Sequence, residues 1–125
     1  MRILINTNVL ISAALNPGSL PDKAYTKAVS YPNRGVICEQ NSDKLRRIFN
    51  KKFPTRIAAL ERFLANALPA LELIPTPIEE LSAEDQIRDI NDRPILRAAL
   101  DADIDIILTG DKDFLESGLL KPKMM

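Results

Sequence analysis

At 125 residues the chain has room for one domain with its own hydrophobic core and not for two. Its 46% hydrophobic and 27% charged residues argue against disorder, and 17 basic against 17 acidic side chains leave net charge silent about partners. The absence of histidine and the single cysteine, Cys38, exclude the usual zinc ligands, a histidine general base and an intrachain disulfide, so any catalysis must run on carboxylates.

The chain opens with an apolar run, Met1 to Ile5, that reads as a buried strand and releases Asn6-Thr7-Asn8 at its tip. Thr7 or Asn8 is expected to cap a helix through Leu15, stopped by Asn16-Pro17-Gly18. A second helix is expected from Pro21 to about Val29, then a short strand over 35–38. In NSDKLRRIFNKKF the apolar Leu45, Ile48 and Phe49 mark a helix face with Ser42 as its cap. Pro54 ends that helix and opens another, in which Ile57, Leu60, Phe63 and Leu64 form the stripe. A third strand falls on 71–74. After the extended segment around Pro75 and Pro77, Asp92 can cap a helix with Pro94 in its first turn and Ile95, Leu96, Ala99 and Leu100 facing inward. A fourth strand is expected over 103–108 and a short helix from Asp111 to Glu116. Lys121 to Met125 read as the start of a further strand that is cut short. Strands alternating with helices predict one α/β domain over 1–125, with a mostly parallel sheet of four to five strands covered on both faces.

Ligands of open parallel sheets bind beyond the carboxyl ends of the strands. Asn6-Thr7-Asn8, Thr109-Gly110-Asp111 with Asp113, and the helix start carrying Asp89 and Asp92 are expected to converge there. Oxygen ligands without histidine or cysteine select Mg²⁺ or Mn²⁺, and a metal held between acids suits phosphodiester hydrolysis. Each acid also has a plainer reading: Asp92 and Asp111 as helix caps, Asp101, Asp103 and Asp105 as solvated residues. Between Lys44 and Arg56 the chain carries six cations and no acid. This run is either a wet helix face or, if the acidic cleft lies beside it, a surface for RNA through Arg46, Arg47, Lys51 and Lys52. Cys38 reads as a small buried hydrophobe. The chain shows no secretory pattern and no apolar stretch near the ~18 residues of a membrane span, so cytoplasmic residence without membrane association is expected.

Taken in order, MRILINTNVLISAAL, DKLRRIF, RDINDRPILRAAL and ILTGDKDF resemble the PIN-domain ribonucleases, and among them the VapC-like toxins of toxin–antitoxin pairs. The resemblance implies a three-layer α/β/α sandwich and an endoribonuclease dependent on Mg²⁺ or Mn²⁺. It also implies an antitoxin partner and a homodimer packed near Pro54 to Leu68. Four family acid positions carry over onto Asn6, Lys44, Asp92 and Asp111. Asp113 serves as an auxiliary acid, and Thr7 and Thr109 fall at positions that orient water or a neighbouring carboxylate. Only Asp92 and Asp111 keep an acid, so they are the expected metal ligands. An ammonium at residue 44 can take the electrostatic place of Mg²⁺ but offers no Lewis acidity, so weak metal binding and poor turnover are expected. The alternatives are a non-catalytic RNA- or antitoxin-binding module and, last, an aspartyl-phosphate phosphatase or receiver-like domain. The latter needs an Asp nucleophile where Asn6 stands.

Overall fold

The computed structural model describes residues 1–110, 112–117 and 123–124. Five strands, β1 (Arg2–Ile5), β2 (Arg34–Cys38), β3 (Leu71–Ile74), β4 (Ile106–Leu108) and β5 (Lys123–Met124), form one parallel sheet in the order β3-β2-β1-β4-β5. The helices are α1 (Thr7–Leu15), α2 (Leu20–Val29), α3 (Glu39–Lys52), α4 (Ile57–Ala67), α5 (Arg93–Asp101) and α6 (Lys112–Leu115). No described helix is long and apolar enough to cross a membrane.

Strand side chains alternate between the two faces, and the buried residues divide accordingly. Ile3, Ile5, Ile37 and Ile106 pack with Val9, Leu10, Tyr25, Leu45, Phe49, Leu60 and Leu64 beneath α1 to α4. Leu4, Val36, Cys38, Ile74 and Ile107 pack on the other side with Ile87, Ile95, Leu96 and Phe114. The sheet is therefore the middle of three layers, as expected. At Gly35 a Cβ would lie 2.6 Å from Val29 Cγ1 and 2.8 Å from Leu71 Cδ2, so only glycine lets β2 pass this close to α2 and β3. The Glu72 carboxylate joins three strands, accepting from Arg2 Nη2 at 2.7 Å and Arg34 Nε at 3.0 Å.

Several expected boundaries move, each for a local reason. The cap of α1 is Asn6 rather than Thr7 or Asn8, because Asn6 Oδ1 accepts the Thr7 N–H at 2.8 Å. Helix α3 starts at Glu39, ahead of the expected Ser42 cap, where Asn41 Oδ1 turns back to the Cys38 N–H at 3.3 Å. Strand β4 begins at Ile106 rather than at 103, since Asp103 holds a left-handed φ of 54°. Leu60 and Leu64 are buried in this chain's own core, and Phe63 meets Tyr25 at 5.3 Å between ring centroids.

Candidate functional site

The chain leaves β1 towards β2 on one side and returns through β4 on the other. The crevice beyond the carboxyl ends of β1 and β4 is thus the switch point of the sheet. Ile5 and Leu108 are register partners, which sets Asn6 beside Thr109. Asn6 Nδ2 donates to Thr109 Oγ1 at 3.0 Å, while Asn6 Oδ1 faces the start of α1. Asn6, Thr7, Thr109 and Asp92 are all buried. Asp92 ends a 3₁₀ turn, Ile90–Asp92, directly before α5. It stands at the cap position, yet its side chain makes no capping bond. Instead Asp92 Oδ1 accepts from Lys44 Nζ of α3 at 2.9 Å. The carboxylate is 4% exposed and the lysine side chain 28%, so the pair sits at the wall of the crevice and not in bulk water.

Asn6, Thr7, Asn8, Ile11, Lys44, Ile48 and Asp92 line a cleft of about 100 Å³. Asn6, Thr7, Lys44 and Asp92 therefore do come together. Asp89 does not join them: it is exposed and lines a neighbouring groove of about 690 Å³ with Gln40, Lys44, Arg47, Ile48, Lys51 and Lys52. Arg46 does not line this groove: it turns towards α4 and pairs with Glu61 at 3.1 Å. Asp111 and the side chain of Asp113 lie outside the described residues.

Sequence reasoning missed Asn41. Wholly buried, it donates from Nδ2 to Thr7 Oγ1 at 2.9 Å and to Asn6 Oδ1 at 3.5 Å. Its Oδ1 accepts from Cys38 Sγ at 2.9 Å as well as from the Cys38 N–H. Asn41 thereby locks the start of α3 to the start of α1 around the cleft floor. Its spacing held the signal: four residues before Leu45, it is a polar residue on an apolar helical stripe. Cys38 is buried as expected, and burial pushes its thiol pKa up, away from the thiolate. A second missed feature lies on the other side of the sheet, where Glu84 and Arg97 form a buried ion pair at 2.8 Å.

Divalent Mg²⁺ and Mn²⁺ need several anionic oxygens. Among the described residues no group of three or more histidine, cysteine, aspartate or glutamate side chains is placed to hold a metal ion. Among the described residues the cleft offers one carboxylate, already joined to an ammonium, and an amide oxygen already joined to a backbone N–H. The described residues alone do not fit a divalent cation.

The family model for the PIN domain matches residues 2–113. An uncharacterized protein of Methanocaldococcus jannaschii, MJ1680, is 27% identical over 124 residues, covering 92% of this chain and 74% of its own. Among solved structures, VapBC2 from Rickettsia felis, bound to a DNA fragment from its promoter, is similar with a TM-score of 0.72 at 16% identity, covering 100% of this chain and 98% of that one. FitAcB from Neisseria gonorrhoeae gives 0.68 at 19% identity, covering 98% and 96%. VapC20 of Mycobacterium tuberculosis, a Sarcin-Ricin loop cleaving toxin, gives 0.62 at 16%, covering 95% and 97%. These likenesses extend over the whole fold, and the sequence match covers nearly the whole chain. The chain belongs to the PIN-domain family.

Proposed function

We propose that this PIN domain is a VapC-like toxin component of a toxin–antitoxin pair, acting on RNA in the cytoplasm, with its metal-dependent endoribonuclease chemistry impaired by Asn6 and Lys44. The observation that carries the RNA part is adjacency. The groove of Lys44, Arg47, Lys51 and Lys52 opens beside the cleft and shares Lys44 and Ile48 with it. Four cations against one carboxylate, Asp89, form a track for a phosphate backbone, and the cleft lies at its end. By the family resemblance, Asp92 and Asp111 would hold Mg²⁺ or Mn²⁺ together with acids at positions 6 and 44. Here the amide of Asn6 and the ammonium of Lys44 withdraw two of the four charges. Toxin-type complexes among the similar structures support a cognate antitoxin as protein partner, laid along α3 towards the cleft. A homodimer through the region of Pro54 to Leu68 would have to use exposed residues there, such as Leu68, since Leu60 and Leu64 are already covered.

The test is binding and cleavage of a labelled RNA panel by the purified chain, with Mn²⁺ and with EDTA. Salt-dependent binding, weakened by Arg47→Ala and Lys51→Ala across all sequences, is expected together with little cleavage. Absence of binding at low salt would overturn the RNA reading, and robust EDTA-sensitive cleavage would overturn the impairment. Light scattering across concentration checks the dimer.

A further inference from the structure

Cleft and groove meet at one cation. Lys44 is half-buried while Arg47, Lys51 and Lys52 are exposed, so it is the inner end of the basic track. Its ammonium is fixed by Asp92 Oδ1 at 2.9 Å, a carboxylate 4% exposed, and that bond uses one of three N–H donors. Moving the ammonium away would break its bond to a carboxylate that is 4% exposed. Among the described residues that line the cleft, the others beside Lys44 and Asp92 are uncharged: Asn6 is an amide held on both sides, by the Thr7 N–H and by Thr109 Oγ1. A second cation entering this space would meet the ammonium at short range, whereas an anionic oxygen would meet it favourably.

We propose that Lys44 is the resident cation of the cleft. Resting on the RNA-binding reading above, the inference is that its ammonium takes a phosphodiester oxygen of single-stranded RNA without any divalent ion, with Asp92 as its anchor. Affinity for RNA is then independent of metal. Substrate is held and charge is screened, but no water is activated. The donor set at residues 6 and 44 decides between this mode and a metal-bound one. Replacing the ammonium by a carboxylate inverts the response to metal: RNA and Asp92 then need a divalent ion between them.

The experiment measures fluorescence anisotropy of labelled single-stranded RNA against the full chain, Lys44→Gln, Lys44→Glu and Asn6→Asp/Lys44→Glu, each in EDTA and in Mn²⁺. Thermal melting of each protein with and without Mn²⁺, in the absence of RNA, is the second readout. For the unaltered chain the affinities in EDTA and Mn²⁺ should agree within about twofold, and Mn²⁺ should leave its melting temperature unchanged. Lys44→Gln should lose about tenfold in affinity under both conditions, and Lys44→Glu more in EDTA. The double variant should regain affinity and rise in melting temperature only with Mn²⁺. If Lys44→Glu does not fold in EDTA, Lys44→Gln together with the unaltered chain still decides. RNA binding by the unaltered chain that collapses in EDTA would overturn the inference while leaving the RNA reading intact. If no RNA binds under any condition, the RNA reading and the inference fall together.

Discussion

Two ion pairs meet helix α5, and they are built differently. Arg97, within the helix, forks onto Glu84 through Nη2 at 2.8 Å and Nε at 3.1 Å and also donates to the carbonyls of Pro77 at 2.8 Å and Ile78 at 3.3 Å. Glu84 in turn accepts the Leu81 N–H. This pair pins the 77–86 segment to the helix, with several partners for each charge, and reads as structure. Asp92, at the start of the same helix, meets Lys44 through one bond at 2.9 Å at the edge of two cavities. Lys44 keeps donor capacity on the cavity side. The same chemistry is thus a clamp where the donors of the cation are taken up and a candidate binding contact where the cation keeps donors facing a cavity.

The comparison breaks most visibly in stability. Glu84→Ala or Arg97→Ala leaves an uncompensated buried charge and should cost about 3–5 kcal/mol in chemical denaturation. Asn41→Ala should cost about 2 kcal/mol, because it strips a partner from Thr7, Asn6 and Cys38 at once. A double-mutant cycle with Thr7→Val should show coupling, since the two share a bond of 2.9 Å. Lys44→Gln should cost less, about 1–2 kcal/mol, because the glutamine amide can still donate to Asp92 at the partly hydrated wall of the crevice, and should act mainly on RNA affinity. If Lys44→Gln proves as costly as Glu84→Ala, the distinction between clamp and contact is wrong.

A finer test uses pH. Arg97 beside it, and the Leu81 N–H, hold the Glu84 carboxyl below its ordinary 4.5. Because the folded value is depressed, its contribution is full above about 4.5 and is lost as pH falls through the folded value, where the native state must also take the proton. The unaltered chain should therefore lose stability on acidification below that point, and Glu84→Gln should flatten the slope. Glu72, held low by Arg2 and Arg34, acts in the same direction but more weakly because it is partly exposed.

Where one residue type controlled an outcome, the sequence was readable. Apolar β-branched runs located β1 and β2, Pro54 marked the break before α4, and the order of motifs carried the family. Outcomes that needed a partner from elsewhere in the chain were not readable. Asp92 reads as a helix cap because Asp is a common cap, yet its carboxylate makes no capping bond and accepts from Lys44 of α3. The start of α3 depended on Asn41 folding back onto Cys38, a residue with no capping reputation. Arg46 and Arg47 are adjacent in sequence, yet a 100° step per residue sends one to Glu61 and the other to the groove.

The central claim is that the cleft's cation is a side chain. Its most direct test is a calorimetric titration of Mn²⁺ into the unaltered chain and into Asn6→Asp/Lys44→Glu, without RNA. Little or no binding heat from the first and a saturable one-site isotherm from the second are expected, with Asn6→Asp alone lagging because Lys44 still occupies Asp92. A saturable isotherm from the unaltered chain, unchanged by substitution at Lys44, would contradict the claim.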